Sequence, residues 1–206
     1  LFAPEHPQTG RCGGVTAWTC PGSSLVALGR GHTEVMERLS LVLVDGDITR
    51  QRVDALVNAA NRAMRGGAGV DGAIHRAGGP AVLEDCRRRF PQGLATGDAG
   101  WTTAGDLPSR WVIHVVGPNR NRGETDRTLL TSCYRRALAV ADELGARSIA
   151  FPLISAGAYG WPLDDAALAA VDTLRSTATR VAEVRLVAFN RAAHDALARA
   201  LAGPTG

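Results

Sequence analysis

Two carboxamide side chains, a glycine-rich turn and one carboxylate stand close together in the first half of the chain. Asn58 and Asn61 follow an apolar run at residues 55–57, and a glycine-rich stretch at residues 66–69 leads to Asp71. Backbone N–H groups at a helix start attract phosphate, because they lack partners there and the helix dipole favours negative charge. Carboxamides both donate and accept hydrogen bonds, which suits the hydroxyl groups of a sugar. We therefore predict a mouth for a nucleotide or sugar phosphate at the end of a sheet.

Asp71 has two interpretations that the sequence leaves open. Its carboxylate could point into the same mouth as Asn58 and Asn61 and orient or activate a water molecule. The helix dipole would keep such a carboxylate ionised, as a base must be, although it would also weaken that base. Alternatively, Asp71 caps the helix, and His75, one turn later, packs nearby.

A second polar loop follows an apolar run at residues 148–154. It contains Ser155, Gly157, Tyr159 and Gly160. The leading glycine of a nucleophile elbow is missing, and no Ser…Asp…His order supports a serine hydrolase. We interpret the loop as a second cradle for phosphate, made of backbone N–H groups and one hydroxyl.

Composition excludes several mechanisms. The 206 residues are enough for one domain with a substantial core, and the net charge of +3 is too small to indicate nucleic acid as a partner. All 23 basic residues are arginine, so the chain has no lysine nucleophile, Schiff-base lysine or P-loop lysine. The glycine-rich stretch also fails to match the P-loop and the dinucleotide-binding fingerprint.

The cysteines and histidines show no spacing typical of a metal site or a disulfide framework. We expect no metal and no cofactor, with Cys86 and Cys133 reduced and buried in helices and His114 a core residue of an apolar strand. No apolar run approaches membrane-spanning length, and no signal peptide is apparent. A cytoplasmic location is the default expectation.

Strands and helices alternate from residue 39 onward, which predicts a mostly parallel sheet with helices on both faces. The predicted strands are residues 39–44, 54–58, 97–102, 111–116, 148–154 and 183–189. The predicted helices are residues 70–76, 80–89, 124–144, 163–177 and 191–201. Residues 1–35 are rich in Gly, Pro, Ser and Thr, and form either a hairpin added to the sheet edge or a leader outside a domain at 36–206.

Five motifs, in this order, resemble those of the macrodomain family. They are Gly46-Asp47-Ile48-Thr49, Asn58-Ala-Ala-Asn61, Gly66-Gly67-Ala68-Gly69-Val70-Asp71-Gly-Ala-Ile-His75, Val112-Ile-His-Val-Val-Gly-Pro118 and Phe151-Pro-Leu-Ile-Ser-Ala-Gly-Ala-Tyr-Gly-Trp-Pro162. The resemblance is greatest to the MacroD-type branch, which removes single ADP-ribose units from modified proteins. It implies an α/β fold with three α-β-α layers around a central mixed, mostly parallel sheet.

The resemblance also implies a role for each matching residue. Asp47 and the Ile48 backbone would contact adenine, and the ring of Phe189 would pack on it. The diphosphate would be held by the two loops, namely by Gly69, Val70, Ser155, Gly157, Ala158, Tyr159 and Gly160. Asn61 would bond the distal ribose, Tyr159 would orient it, and Asp71 would position or deprotonate the attacking water. Ala68 stands where the family has a glycine, so we expect a narrower first loop.

The expected function is therefore that of a mono-ADP-ribosylhydrolase, which would free Asp and Glu side chains of proteins, with hydrolysis of O-acetyl-ADP-ribose as a related activity. The alternative is a module that binds ADP-ribose without turning it over. Pure binding needs no carboxylate beside the distal ribose, and Asp71 therefore favours the enzyme. ADP-ribosylated nucleic acid stays open as a partner, although no basic patch favours it, and we expect a monomer.

Overall fold

A computed structural model of the chain describes residues 39–203. The predicted extension at residues 1–35 lies outside the described residues, so the choice between hairpin and leader stays open. Within the described part, six strands and five α-helices form one domain whose elements follow in the order that the sequence predicts.

The six strands form one sheet in the order β1-β6-β5-β2-β4-β3. All neighbouring pairs are parallel except β3 with β4, which is antiparallel. This confirms the predicted mixed, mostly parallel sheet. The strands are β1 Ser40–Asp45, β2 Ala55–Ala59, β3 Ala99–Thr103, β4 Trp111–Val115, β5 Ser148–Phe151 and β6 Glu183–Ala188.

Helices cover both faces of the sheet. They are α1 Gly69–Gly78, α2 Pro80–Arg89, α3 Arg127–Leu144, α4 Leu163–Ser176 and α5 Arg191–Ala202. Side chains of α3, α4 and α5 share one hydrophobic core with Ala55 and Val57 of β2. Leu56, between them on the same strand, points to the other face and packs with Ile74 of α1. Because strand side chains alternate, β2 is apolar on both faces from Ala55 to Val57, as parallel sheets with two covered faces require.

The two largest differences from the predicted boundaries, each of three residues, have physical reasons. Helix α3 begins at Arg127 rather than residue 124, because the Asp126 carboxylate accepts a hydrogen bond of 2.8 Å from Thr128 N and caps the helix there. Strand β5 ends at Phe151 rather than residue 154, because Pro152 has no N–H to donate. The predicted end of α3 at residue 144 is confirmed, since Gly145 ends the helix in the left-handed region with φ 69°.

One carboxylate clamps the starts of β2 and β5 together. Asp54 Oδ2 accepts hydrogen bonds from Arg147 N at 2.9 Å and from both the N–H and the hydroxyl of Ser148 at 3.0 Å. Burial alone would raise the pKa of Asp54, but these hydrogen bonds outweigh burial and lower it. The two strands whose carboxyl ends carry the polar loops are therefore held in register from their opposite ends.

We predict that Asp54→Asn lowers the free energy of unfolding by about 1–3 kcal/mol at about pH 7, because an amide cannot accept three donors as a carboxylate does. A lowered pKa in the folded state means that this stabilisation is present above the unfolded pKa of about 4 and is lost as the pH falls through the folded value. Urea unfolding should therefore show that the difference in free energy of unfolding between wild type and Asp54→Asn decreases below about pH 4.

The matched control is Asp172→Asn, which changes an exposed carboxylate on α4. That variant should stay within about 0.5 kcal/mol of wild type. Equal unfolding free energies of Asp54→Asn and wild type at neutral pH would contradict the clamp.

Within residues 39–203, no helix has the length and apolarity needed to span a membrane. The cytoplasmic location stays a prediction.

Candidate functional site

The residues that the sequence predicts for the site lie at one edge of the sheet. Strands β1, β2, β5 and β6 are parallel neighbours, so their carboxyl ends meet there. The predicted residues at or just beyond these ends are Asp47, Ile48, Asn58, Asn61, Ser155, Gly157, Ala158, Tyr159, Gly160 and Phe189, and Gly69, Val70 and Asp71 open the helix after β2. We call this region the mouth.

Strand order gives the mouth a direction. Asp47, Ile48 and Phe189 follow β1 and β6 at one side of it, and the second loop follows β5 in the middle. Asn58, Asn61 and Asp71 belong to β2 and the connection into α1, which lie beyond β5. An elongated ligand would therefore cross three distinct groups of side chains.

Asp71 is the buried carboxylate of the mouth, with 4% of its surface exposed. Asn58 Nδ2 donates to Asp71 Oδ1 at 2.7 Å, and Asn61 Nδ2 donates to Asp71 Oδ2 at 3.3 Å. His75 Nε2 lies 3.4 Å from Oδ1. The N-cap of α1 is Ala68, whose side chain makes no capping bond, so the alternative in which Asp71 caps the helix is wrong. The carboxylate is instead held by two amides, as a buried charge requires.

Asn61 uses both ends of its amide inside the protein. Its Nδ2 also donates to Gly66 O at 2.7 Å, and its Oδ1 accepts from Ala63 N at 3.0 Å. Both N–H groups are therefore engaged, and the remaining capacity is the second lone pair of Oδ1. A sugar hydroxyl could approach Asn61 as a donor.

The first glycine-rich loop brings its backbone close to this carboxylate. A Cβ at Gly67 would lie 2.8 Å from Asp71 Oδ2 and 3.2 Å from Asn61 Nδ2, so a side chain there would displace the pair. Ala68 has φ −103° and ψ 178°, which alanine adopts without strain. The alanine is therefore accommodated in extended backbone, and the loop exposes residues 67–69 to solvent.

The second loop begins with a strained serine. Ser155 has φ 63°, which is uncommon for a residue with a Cβ, and its buried Oγ has no hydrogen-bond partner among the described residues. Its neighbour Ile154 donates its N–H to the buried Tyr134 hydroxyl at 3.1 Å. A Cβ at Gly117 would collide with Ser155 Oγ and lie 2.6 Å from Ile154 Cγ2. The loop therefore depends on a glycine in the preceding wall of the mouth.

The tip of the second loop carries Tyr159 between exposed small residues. The Tyr159 carbonyl accepts from Arg120 N at 2.9 Å, and Asn121 Nδ2 donates to Ala158 O at 3.0 Å, so a short 3-10 helix at Arg120–Arg122 braces the loop. Burial, followed by the charge of Asp71, raises the pKa of Tyr159. Its phenol therefore stays protonated at neutral pH and can donate a hydrogen bond.

The far side of the mouth presents an exposed aromatic ring. Phe189 directly follows β6 and is 85% exposed. Asp47 caps a short 3-10 helix there, because its Oδ1 accepts from Thr49 N at 2.8 Å and from the Thr49 hydroxyl at 2.7 Å. The exposed Phe189 ring can stack on a flat ligand, and the Asp47 carboxylate can accept a hydrogen bond from the polar edge of that ligand.

Sequence reasoning missed the residues behind Asp71. His114 is buried, as predicted, but it also contacts the site: Asn58 Nδ2 lies 3.0 Å from His114 Nδ1, and Thr102 Oγ1 lies 2.8 Å from Nε2. The signal is the register of two parallel strands, in which Asn58 pairs with His114. Register is a property of the folded sheet, and a single sequence does not contain it.

Three residues of types that bind metals also meet behind the mouth. His75, Cys86 and His114 each place one donor atom within 4.8 Å of the others, a proximity that their spacing in the sequence does not indicate. Burial lowers the pKa of His114 to about 3 and raises that of the Cys86 thiol to about 12, so both are neutral. Two imidazoles and a thiol could in principle ligate zinc, provided that a lone pair on each faces the ion.

The fold and the mouth define a three-layer α/β domain of the kind that binds ligands at the carboxyl edge of its sheet. A family model, the Macro domain, matches residues 57–170. A macro domain-containing protein of Streptomyces coelicolor is 57% identical over 165 residues, which cover 78% of this chain and 98% of that protein. The chain belongs to the macrodomain family.

Two further similarities concern proteins whose names specify a ligand. O-acetyl-ADP-ribose deacetylase 1 of Pantoea vagans is 41% identical over 161 residues, covering 75% of this chain and 94% of that one. A variant of the Oceanobacillus iheyensis macrodomain, solved with ADPR (ADP-ribose), is 37% identical with a TM-score of 0.74, covering 81% of this chain and 94% of that one. The family and fold that the sequence motifs indicate are therefore confirmed.

We predict that Gly117→Ala destabilises the protein by about 1–3 kcal/mol, because the added methyl group must displace Ser155 and Ile154 in a packed wall. Urea unfolding of the two proteins measures the difference. The control is Gly157→Ala in the second loop, where a Cβ meets nothing within 4 Å and no positive φ opposes it. Equal effects of the two substitutions would contradict the role of Gly117.

Proposed function

We propose that this macrodomain is a mono-ADP-ribosylhydrolase that binds ADP-ribose along the mouth. Adenine would stack on Phe189, with its amino group on Asp47 and its edge beside the Ile48 backbone. The distal ribose would lie at the other end, against the free lone pair of Asn61 and the phenol of Tyr159. The strand order supports this orientation, since these groups lie on opposite sides of the second loop.

The diphosphate would lie between the two loops. Gly69 and Val70 open α1, where unpaired N–H groups and the helix dipole favour an anion. The other wall would be the exposed backbone of Gly157, Ala158 and Gly160, together with Ser155. The buried Ser155 hydroxyl supports this assignment, because a phosphate oxygen would supply the partner it lacks.

The observation that carries the proposal is the buried Asp71 carboxylate, aimed by two amides beside the place proposed for the distal ribose. Binding alone gives no reason to bury an anion next to an uncharged sugar, since that burial costs solvation. A carboxylate there can orient a water molecule and accept a proton from it.

The reaction would be a displacement at the anomeric carbon. The water oxygen forms a bond to that carbon while the bond from the carbon to the side-chain ester oxygen breaks, and the departing carboxylate keeps the electron pair. The proton lost from water passes to Asp71 or to solvent. Asp and Glu esters are the expected substrates, because a carboxylate leaves without help from a strong general acid.

Hydrolysis of O-acetyl-ADP-ribose is a second candidate activity of the same site. The Pantoea vagans relative named for that reaction supports it. Both substrates carry an ester on the distal ribose. For the acetyl ester, the water oxygen would form a bond to the acetyl carbonyl carbon, and the ribose oxygen would leave with the electron pair and take up a proton. A cytoplasmic location and a monomeric state stay predictions, and ADP-ribosylated nucleic acid stays an open partner.

We predict that Asp71→Ala lowers the rate of ADP-ribose release from an auto-modified transferase by about 100-fold or more, the usual effect of losing a positioned base. The affinity for free ADP-ribose should change far less, because adenine and diphosphate contacts are intact. Loss of radiolabel measures release, and calorimetry measures binding. Asp172→Ala, on α4, is the control and should match wild type.

Two outcomes would contradict this prediction separately. If wild type bound ADP-ribose but released no label, the protein would be a reader module. If Asp71→Ala released label at the wild-type rate, the role of Asp71 would be wrong while the activity stood.

We also predict that Phe189→Ala weakens ADP-ribose binding by about tenfold, since stacking of a base on an aromatic ring contributes about 1–3 kcal/mol. Asp47→Ala should also weaken binding through the lost adenine contact. Leu168→Ala, which truncates another exposed apolar side chain, on α4, should leave the affinity unchanged. Wild-type affinity of both mouth variants by calorimetry would disprove the adenine site.

A further inference from the structure

A line of buried hydrogen bonds extends from Asp71 into the sheet. Asn58 Nδ2 contacts both Asp71 Oδ1 at 2.7 Å and His114 Nδ1 at 3.0 Å. His114 Nε2 contacts Thr102 Oγ1 at 2.8 Å, and the Thr102 hydroxyl donates to the Thr103 carbonyl at 3.0 Å. Asn58, Thr102 and His114 are each fully buried, so water does not compete for these groups.

Donors and acceptors along this line fit in one way only. An ionised Asp71 accepts, so the amide nitrogen of Asn58 must face it. Its second N–H then points at His114 Nδ1, which must carry a lone pair, and the ring proton lies on Nε2. Nε2–H donates to Thr102 Oγ1, whose own proton is used by the Thr103 carbonyl.

The reverse arrangement is excluded by the carboxylate. A flipped Asn58 amide would place Oδ1 against Asp71 Oδ1, and two oxygen acceptors would face each other without a proton. The observed orientation leaves Asn58 Oδ1 buried without a partner among the described residues. A buried acceptor without a partner is unfavourable, so the two N–H directions decide the orientation of the Asn58 amide.

We propose that His114 is a positioning residue: as the Nε2–H tautomer set by Thr102, it holds the Asn58 amide in the orientation that aims Asp71 into the mouth. The kinetic consequence rests on the proposed hydrolase function. His114 reaches the mouth through its contact with Asn58, and it would act on Asp71 through that residue.

The surroundings of His114 keep the ring neutral, as this role requires. Burial and the neighbouring His75 both oppose protonation, and together they outweigh the nearby carboxylates of Asp71 and Asp85. Phe90 lies edge-on to the ring with centroids 6.3 Å apart, and His75 lies 6.2 Å away on centroids. The ring is therefore enclosed by α1, α2 and the strands on either side of it.

The same tautomer argues against a metal at His75, Cys86 and His114. Cys86 Sγ lies 3.6 Å from His114 Nε2, the nitrogen that carries the proton. A protonated nitrogen has no lone pair for a metal ion. Metal binding through Nε2 and positioning through Nε2–H are thus mutually exclusive, which makes zinc a test of the proposal.

The first experiment is nitrogen-15 NMR of the histidine side chains in the full chain. We expect Nε2 of His114 to be protonated and Nδ1 unprotonated, with no titration between about pH 5 and pH 8. An Nδ1–H tautomer, an imidazolium in that range, or stoichiometric zinc binding that Cys86→Ala abolishes would overturn the proposal. None of these readouts depends on turnover.

The second experiment compares Thr102→Val with Thr102→Ser. Valine keeps the shape of the threonine side chain but removes the oxygen that accepts from His114 Nε2–H. Serine keeps that oxygen. We expect Thr102→Val to lower kcat about tenfold, the effect of one lost hydrogen bond, with KM and ADP-ribose affinity within about twofold of wild type. Thr102→Ser should restore most of kcat. His114→Phe, which offers no acceptor to Asn58, should lower kcat at least as much.

The outcomes separate this proposal from the proposed function. If wild type is inactive, the proposed function is wrong, and the proposal on His114 is tested without turnover. The carbon-13 chemical shift of the Asp71 carboxyl group should then change in Thr102→Val and stay unchanged in Thr102→Ser. Equal kcat in all Thr102 proteins, or an unmoved Asp71 shift, would overturn it. Equal loss of kcat and melting temperature in the serine and valine variants would indicate a structural role only.

Discussion

The hydrogen bond from Asn58 to Asp71 is the interaction on which the rest of the site depends. A carboxylate with 4% exposure has little water to solvate it, so protein donors must replace that water. Asn58 and Asn61 supply them from the end of β2 and the turn that follows, and Gly67 leaves the space in which they meet. The charge is thereby kept at the edge of the sheet, where a ligand can reach it.

The sheet turns these separate contacts into one elongated mouth. Parallel strands bring their carboxyl ends to one edge, and the order of the strands sets which loops are neighbours. Asp54 holds β2 against β5 at the opposite edge, while the glycine at 117 and the Tyr134 hydroxyl support the strained Ser155 loop. These buried contacts therefore stabilise the strained loop and the desolvated polar groups of the mouth.

Much of this architecture could be predicted from the sequence, because it is local. The helix predicted at residues 80–89 has these bounds in the structure, where Pro80 lies in the first turn of α2, and Gly145 ends α3 at the predicted residue 144. The two polar loops follow apolar strands and could be located in the same way. Asp71 could be identified as a functional candidate, whereas its capping alternative required coordinates to reject.

What could not be predicted is long-range. The pairing of Asn58 with His114 joins residues 56 apart in sequence and depends on strand register. Gly117 lies against Ser155, and His75, Cys86 and His114 lie close together. Both arrangements arise from packing between elements that are far apart in the sequence. Residues 1–35, for which the sequence allowed two interpretations, lie outside the described part.

The central claim is that Asp71 directs water to the anomeric carbon of the distal ribose. The most direct measurement is mass spectrometry of the products after a Glu-linked ADP-ribosylated peptide is hydrolysed in oxygen-18 water. The account predicts no label in the released glutamate carboxyl group, with the label in ADP-ribose at early times. Oxygen-18 in the glutamate carboxyl group would show attack at the ester carbonyl and would contradict the account.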